Sequence, residues 1–297
     1  MSSLGAAPYK RAVVVVNPIS GRGQGVAAAV ELQNGLRERG VHVDMLETRA
    51  RGHAFTELRS LKERVDLVVA VGGDGTLREV FDGLVDPETA VALLPYGTAN
   101  VLAQMLGLPR DVHHALDIIC TGHVQNIDTA RVNGNLSSSC TGVGFDAYTV
   151  RAVERRRNGP ITKWNYVRAI AGEIVHYCHP KLSVEIDGTK VKGTFAFCLV
   201  ANTKEYGGFL KLDPEAKLDD RQFEVYLFPA AGWPGLIRGL VHGTLKHLPG
   251  AGVEMRRGQS VRVTAEEPCP FQIDGDLGGE TPLKLELMPN QYRLLVP

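Results

Sequence analysis

The chain has 297 residues, of which 44% are hydrophobic and 22% are charged, and this composition is usual for folded globular proteins. A chain of this length is long for one domain and usual for two. Basic and acidic residues number 33 each, so the formal net charge is zero. A chain without excess positive charge has no overall field that attracts DNA or RNA, which disfavours a nucleic-acid-binding function.

The five cysteines are scattered along the chain, and no two of them form a CxxC pair. This distribution favours reduced core thiols and a cytoplasmic location over a disulfide framework or a zinc site. The apolar run near the N-terminus is too short for the core of a signal peptide. Because no apolar run reaches about 18 residues, we expect a chain that is soluble or rests on a membrane surface without crossing it.

Residues 11–120 alternate short apolar runs with helical patterns. The runs "RAVVVVNP", "VHVDMLET", "DLVVAVGG" and "AVALLPYG" predict strands, and three of the helices between and after them are predicted near 53–63, 76–85 and 98–107. Largely apolar strands separated by helices indicate a parallel sheet that is covered on both faces. The pattern therefore predicts a doubly wound α/β domain over residues 9–123.

From residue 124 the pattern changes to short alternating strands joined by turns, and Asn-Gly at 133–134 and Asp-Gly at 187–188 are strong hairpin signals. This predicts an antiparallel β-sandwich domain over residues 124–297, interrupted by helices near 161–178 and 233–248. The last strand is a candidate to return to the first domain. Because no flexible linker is evident, we expect an active site in a cleft between the two domains.

Three glycine-containing loops, "NPISGRGQG", "GGDGT" and "PYGTAN", follow predicted strands. In parallel α/β sheets, ligands bind beyond the carboxyl ends of the strands, and helix N-termini that begin there attract anions. The glycines let the main chain approach a phosphate chain, although the first loop lacks the GK[ST] of a Walker A motif. Asp74 would repel such a phosphate unless a divalent cation lay between them, which indicates magnesium. Taken alone, GGDG is equally consistent with a tight turn.

The segments "VVNPISGRGQG", "GGDGTLREVFDGL" and "LPYGTANVLAQMLGLP" resemble, in this order and spacing, the catalytic domain of the diacylglycerol kinase family. The resemblance is to its bacterial soluble lipid-kinase branch, which is related to sphingosine and ceramide kinases. "CTGVGFDA" at 140–147, "GGFLKLDPEAKLDD" at 207–220 and "FQIDGD" at 271–276 resemble motifs of the family's second domain. The resemblance therefore extends over nearly the whole chain.

The resemblance implies an NAD-kinase- and phosphofructokinase-like α/β domain followed by a β-sandwich. It also implies a bacterial enzyme that uses ATP and Mg²⁺ to phosphorylate the hydroxyl of diacylglycerol or a related lipid alcohol. Such an enzyme would lie in the cytoplasm, peripherally at the inner membrane face, with the lipid substrate and no nucleic acid as its partner. Whether the chain forms a homodimer stays open.

The resemblance also implies particular site residues. Asp74 would organise the catalytic magnesium, and Asp276 would be the general base, at a position where the family commonly has Glu. Val101 stands where the family often has Asp. The "IDGD" that contains Asp276 is also consistent with a simple hairpin turn. The positions that would bind the nucleotide are Asn17, Ser20, Thr48, Gly73, Asp74, Gly75, Thr76, Glu79, Gly97, Thr98 and Asn100.

A structural magnesium in the second domain is a further family feature. The resemblance assigns it to Asp220 with the main-chain carbonyls of Lys217 and Gln222, and Asp219 is the competing carboxylate. Here Arg221 follows Asp220, where the family commonly has Gly.

Two surface segments have alternative interpretations. "GWPGLIRGLVHGTLKHL" at 232–248 predicts a helix that either lies on a membrane interface or covers the sandwich. The basic stretch "RAVERRRNGPITK" at 151–163 either meets anionic headgroups or is a solvated face. The apolar residues that helical spacing places near one face of the first segment are Leu236, Ile237, Leu240, Val241, Leu245 and Leu248.

Three rival functions stay open at this stage. An NAD kinase shares the GGDGT loop, but its expected G-x-L-G-F-L element is replaced here by "LPYGTANVLAQMLGLP". A phosphofructokinase is disfavoured because the T-I-D-N-D element is missing. A non-catalytic nucleotide- or lipid-sensing kinase fold is disfavoured by the carboxylates at Asp74 and Asp276 and favoured by Val101.

Overall fold

The computed structural model describes residues 7–155 and 180–297. The helix predicted near 161–178 and most of the basic stretch at 151–163 lie outside the described residues. The chain divides into two compact units. The first takes the chain up to Ile127 together with Asn290–Pro297, and the second comprises Asp128–Pro289.

The described residues form strands and helices throughout both units. In chain order the strands are β1 (Arg11–Val16), β2 (His42–Glu47), β3 (Leu67–Gly72), β4 (Ala90–Pro95), β5 (His123–Ile127), β6 (Ala130–Val132), β7 (Asn135–Ser137), β8 (Cys140–Gly144), β9 (Leu182–Ile186), β10 (Thr189–Lys190), β11 (Phe195–Ala201), β12 (Glu205–Tyr206), β13 (Leu210–Lys211), β14 (Phe223–Pro229), β15 (Glu254–Gly258), β16 (Ser260–Ala265), β17 (Pro270–Ile273), β18 (Asp276–Glu280), β19 (Leu283–Leu287) and β20 (Tyr292–Val296). The α-helices are α1 (Gln24–Glu38), α2 (His53–Ser60), α3 (Asp74–Gly83), α4 (Val101–Met105), α5 (Val112–Thr121), α6 (Phe145–Arg155) and α7 (Gly232–Leu245).

The first unit is built on a six-stranded sheet in the order β2-β1-β3-β4-β20-β5. Strands β1 to β4 are mutually parallel, β20 is parallel to β4, and β5 is antiparallel to β20. Every residue of β3 and β4 is buried, because helices cover both faces. The predicted doubly wound α/β fold is therefore confirmed. Residues 124–127 lie in this unit, because β5 pairs along its length with β20.

The second unit is dominated by one large antiparallel sheet with the order β18-β17-β8-β11-β9-β16-β19-β6-β7, to which β14 and β15 add beside β11. Its core consists of apolar side chains that alternate along these strands, as Leu182, Val184 and Ile186 do in β9. The predicted antiparallel second domain is confirmed. Among the described helices, none has the length and apolar character needed to span a bilayer.

The predicted helix bounds differ from the observed ones at several ends. Helix α3 begins at Asp74, two residues before the predicted start, because Gly73 is extended and Asp74 occupies the favourable first turn. Helix α4 begins only after Asn100, whose φ of 49° is left-handed and cannot continue a helix. Helix α7 ends at Leu245, before the predicted residue 248.

Candidate active site

The ends of the first four strands are joined by main-chain hydrogen bonds within the first unit. The Asn17 N–H donates to the carbonyl of Val71 at 3.2 Å. The Gly97 N–H donates to the carbonyl of Gly72 at 3.2 Å, and the Thr48 N–H donates to the end of β1. The carboxyl edge of the sheet therefore brings together the loops that contain the predicted residues Asn17, Thr48 and Gly97.

Glycine is required where two of these loops touch. A Cβ built on Gly97 would lie 2.4 Å from the Cα of Gly73, and a Cβ built on Gly73 would lie 2.9 Å from the Cα of Gly97. On the first loop, Gly21 has a φ of 61°, and a Cβ there would lie 2.6 Å from the ring of Tyr96. The second and third loops thus meet through bare main chain, and the first packs against the Tyr96 ring, so the glycines leave peptide groups able to approach a phosphate chain.

Asp74 is the first residue of α3 and links two of the loops. Its Oδ1 accepts a hydrogen bond from the Val101 N–H at 2.7 Å. A carboxylate in the first turn of a helix is also stabilised by the helix dipole. Because Val101 contributes only its main-chain N–H here, the departure from the family's Asp leaves this contact unchanged.

Asn100 supplies a second oxygen at this edge. Its side chain is 2% exposed, and its Nδ2 donates to the Gly97 carbonyl at 2.8 Å. Its Oδ1 has no hydrogen-bond partner among the described residues. A buried polar atom without a partner is rare and commonly marks an absent water, ion or ligand. Carboxylate and amide oxygens are the ligands that Mg²⁺ accepts, so the residues present fit a magnesium-bound nucleotide.

The remaining predicted nucleotide-binding positions occupy different surroundings. Ser20 begins a short 3-10 turn and donates its N–H to the Asn17 carbonyl at 3.0 Å. Gly75 and Thr98 are exposed, whereas Thr76 is buried at 8% exposure within α3.

Glu79 has a role in the structure that the sequence does not predict. Its carboxylate accepts hydrogen bonds from the Gly52 N–H at 2.8 Å and the Ala54 N–H at 3.3 Å. These groups belong to the first turn of α2, whose N-cap is Gly52 and therefore has no capping side chain. Glu79 thus caps a neighbouring helix, and its assignment to the nucleotide remains a prediction. The sequence signal that could have predicted this contact is Gly52, because a glycine at the N-cap of α2 has no side chain to cap the helix.

In the second unit, the motif "FQIDGD" forms a two-residue hairpin turn between β17 and β18. Asp274 and Gly275 both have positive φ, at 49° and 86°, and Ile273 pairs with Asp276 across the turn. Two successive left-handed residues are the signature of a type I′ turn. The hairpin interpretation is therefore correct, and the turn places Asp276, which is partly exposed, as the first residue of β18.

The Asp274 carboxylate is held by six hydrogen-bond donors. They are the N–H and hydroxyl groups of Ser138 and Ser139, the hydroxyl of Ser137 and the N–H of Cys140. Two carboxylate oxygens offer about four lone-pair sites, so this acceptor is saturated. The three consecutive serines at 137–139 are the sequence signal for these contacts with Asp274.

The same turn is fixed from its other side by Gln272, which is fully buried. Its Oε1 accepts the Gly275 N–H at 2.6 Å, and its Nε2 lies 3.8 Å from the Sγ of Cys140. Gln272 and Asp274 together hold the main chain that carries Asp276 in one conformation. Neither role follows from the sequence alone.

Arg221 forms an internal ion pair at the segment predicted to hold a structural metal. Its guanidinium donates to Oδ1 of Asp128 at 2.7 Å and also to the carbonyls of Met288 and Pro289. The Arg221 N–H donates to the other oxygen of Asp128 at 2.6 Å. The side chain of Asp128 is 0% exposed, so Arg221 neutralises a fully buried carboxylate.

The predicted metal ligands lie beside this pair. Oδ1 of Asp220 accepts the Gln222 N–H at 3.2 Å. Oδ1 of the buried Asn202 has no partner among the described residues, and the Nδ2 of the same side chain donates to the carbonyl of Leu218. Carboxylate and amide oxygens are of the kind that Mg²⁺ accepts, and the assignment to Asp220 with the carbonyls of Lys217 and Gln222 remains a prediction.

Comparison with known families agrees with this architecture. The profile of the diacylglycerol kinase catalytic domain matches residues 11–132, and that of the YegS C-terminal NAD kinase beta sandwich-like domain matches residues 139–296. The chain belongs to the diacylglycerol kinase family. It is a lipid kinase, as its motifs predict.

Relatives within the diacylglycerol kinase family are similar over nearly their full length. The chain is 28% identical to the diacylglycerol kinase of Bacillus subtilis, over 97% of each chain. It is 26% identical to the diacylglycerol kinase of Staphylococcus saprophyticus, over 92% of this chain and 91% of the relative. A crystal structure of a diacylglycerol kinase from Bacillus anthracis shares the fold with a TM-score of 0.71 at 20% identity, over 98% of each chain.

The family motif "CTGVGFDA" contains one further buried acid. Asp146, in the first turn of α6, is 6% exposed and accepts a hydrogen bond from the Tyr206 hydroxyl. Burial raises the pKa of Asp146 to about 6, and the hydrogen bonds from Tyr206 and Gln272 oppose this rise. This acid lies next to the sheet that carries the hairpin turn at 273–276.

Proposed function

We propose that this lipid kinase transfers the terminal phosphoryl group of Mg-ATP to the hydroxyl of diacylglycerol or a related lipid alcohol at the inner membrane face. Phosphoryl transfer requires alignment of the two substrates, neutralisation of phosphate charge and a base for the hydroxyl proton. The first unit offers groups for the first two requirements, and the second unit offers a carboxylate for the third.

The first unit would bind the nucleotide with main-chain groups of its three loops. The bare contact between Gly73 and Gly97 removes the Cβ atoms that would keep a phosphate chain at a distance. Asp74 and the buried Oδ1 of Asn100 are the oxygens suited to hold magnesium, directly or through water. A bound magnesium would neutralise the negative charge that develops on the phosphates.

The hydrogen bonding and exposure of the two carboxylates in the hairpin turn support the choice of the base. Asp274 is saturated by six donors, so it has no lone pair to accept a substrate proton. Asp276 follows two residues later and is partly exposed. We assign the base to Asp276, the position that the family resemblance implies, while Asp274 and Gln272 hold the turn that carries it.

The substitution Asp276→Asn tests this role because it keeps shape and removes basicity. We expect kcat to fall about 10²- to 10⁴-fold, with unchanged affinity for ATP in isothermal titration. Asp276→Glu is the matched control, and it should retain activity because it restores a carboxylate. If Asp276→Asn turned over at the wild-type rate, the assignment of the base would be wrong.

The substrate itself is tested with radiolabelled ATP over a panel of diacylglycerol, monoacylglycerol, phosphatidylglycerol, sphingosine, ceramide and NAD. We expect the radiolabel in a phosphorylated glycerolipid, and only when magnesium is present. Labelling of NAD alone would contradict the proposal and favour the NAD kinase alternative. Absence of labelling in every reaction would favour the non-catalytic alternative.

A further inference from the structure

Helix α7 packs onto the second unit through its smallest residues. A Cβ built on Gly239 would lie 2.8 Å from Val253, and one built on Gly243 would lie 2.6 Å from Leu210. Leu236 completes the inward face at 1% exposure. The helix therefore lies very close to the core because glycines face it.

The opposite side of α7 carries its large apolar residues. Trp233, Ile237, Val241 and Leu245, spaced four residues apart and called here the α7 stripe, lie along one side of the helix. Trp233 is 58% exposed, Val241 50% and Leu245 72%. A helix that only covers a core places its large apolar residues inward, whereas α7 buries Leu236 and leaves Trp233, Val241 and Leu245 exposed on another side.

This arrangement corrects the single apolar face expected from helical spacing. Leu236 and Leu248 are buried, and Leu240 is partly buried against the same core. Of the residues expected on that face, Val241 and Leu245 point to the other side of the helix. One side of the helix therefore covers the core of the second unit, and contact of another side with a membrane stays a prediction.

The charges on and beside the stripe have one sign. Arg238 and Lys246 are exposed next to stripe residues. Residues 232–248 contain no Asp or Glu. The Nε of Arg238 also donates to the carbonyl of Ala251 at 3.1 Å, which holds one edge of the guanidinium against the unit.

We propose that the α7 stripe docks on the surface of an anionic lipid bilayer, with Trp233 and Leu245 among the inserted side chains and Arg238 and Lys246 at the headgroups. Helices that lie in an interface combine large apolar residues, often Trp, with basic residues in this way. A second copy of the chain is a poorer occupant, because a two-fold contact through the stripe would place like charges against each other. The choice of a bilayer rests on the proposed function, since the substrate resides there.

The first test is sedimentation with large vesicles of phosphatidylglycerol and phosphatidylcholine. The double variant Trp233→Ser/Leu245→Ser should bind about 10- to 100-fold more weakly than wild type. The double variant Arg238→Glu/Lys246→Glu should lose binding to anionic vesicles at low salt, with a smaller difference at high salt. The matched control is Val85→Ser, an exposed apolar residue of the first unit at 69% exposure, which should bind as wild type.

The second measurement follows Trp233 directly. In a Trp164→Phe background it is the only tryptophan of the chain, so its emission should shift to shorter wavelength when anionic vesicles are added. The docking proposal is overturned if this emission does not move, or if the stripe variant sediments with vesicles as wild type does. It is also overturned if sedimentation velocity shows a wild-type dimer that the stripe variant dissociates.

Kinase assays distinguish a failure of the docking proposal from a failure of the proposed function. On a short-chain diacylglycerol dissolved as monomers, the stripe variants should retain wild-type kcat and KM, because they leave the reacting groups untouched. When diacylglycerol is presented in vesicles, the kcat/KM of the stripe variants should fall in parallel with their binding to vesicles. If no lipid alcohol is phosphorylated but vesicle binding still requires the stripe, then the proposed function fails and the docking surface stands.

Discussion

The ion pair between Arg221 and Asp128 makes a quantitative prediction about the second unit. Arg221→Met removes the guanidinium and keeps an unbranched side chain at a residue whose φ is 64°, so the backbone strain is unchanged. Asp128 would then be a fully buried carboxylate without this counter-charge. Breaking a buried pair on one side costs about 3 to 5 kcal/mol. Because Arg221 is itself 34% exposed and water can partly replace it, we expect the free energy of unfolding to fall by about 3 kcal/mol.

Thermal unfolding followed by tryptophan fluorescence measures this loss. In a Trp164→Phe background the remaining tryptophan, Trp233, lies in the second unit, so the signal reports that unit. For a unit of this size, a loss of about 3 kcal/mol lowers Tm by about 6 to 12 °C. The same melts with magnesium and with a chelator test the structural metal predicted at Asp220.

The control for Arg221→Met is the double variant with Asp128→Asn, which removes the buried charge as well. We expect the double variant to regain most of the lost stability, because a neutral amide no longer needs the guanidinium. The reasoning would be refuted by a single variant that loses less than about 1 kcal/mol. A double variant as unstable as Arg221→Met would also refute it.

Three further predictions concern single residues. Asp74→Ala should abolish magnesium-dependent turnover while Tm changes little, and near wild-type rates at saturating magnesium would contradict the phosphate-loop interpretation. Gly97→Ala places a Cβ 2.4 Å from the Cα of Gly73, so ATP affinity in isothermal titration should fall by at least about 10-fold; unchanged affinity would place the nucleotide elsewhere. Burial raises the pKa of Asp146 from 3.8 to about 6, so the folded protein binds this proton more tightly than the unfolded chain, and stability should fall as pH rises from about 4 to about 6. Asp146→Asn should remove this fall, which amounts to at most about 3 kcal/mol, and Tm measured from pH 4 to pH 8 checks it.

The fold of each unit is predictable because its signals are local. The buried runs of β3 and β4, separated by helical patterns, predict parallel strands covered on both faces. The hairpin at Asp274 and Gly275 is equally local, because an Asp-Gly pair favours left-handed conformation at both positions. The glycine-containing loops and their order along the chain identify the family for the same reason.

The tertiary structure alone decides which of two similar residues has which role. Asp274 and Asp276 are two residues apart, and only the approach of Ser137–Ser139 shows that Asp274 is saturated. Glu79 caps a helix 27 residues away in sequence. The partner of Arg221 lies 93 residues away. Contacts over such separations depend on how strands and helices pack, and periodicity along the chain does not encode them.

The orientation of α7 has the same origin. Helical spacing shows that the helix has apolar residues on more than one side, but not which side meets the core. The pocket between Val253 and Leu210 admits glycine and excludes a Cβ, so the small side of α7 turns inward. Leu236 is buried with the glycines, and Trp233, Val241 and Leu245 are left on the surface, because the shape of the core helps to select the buried side.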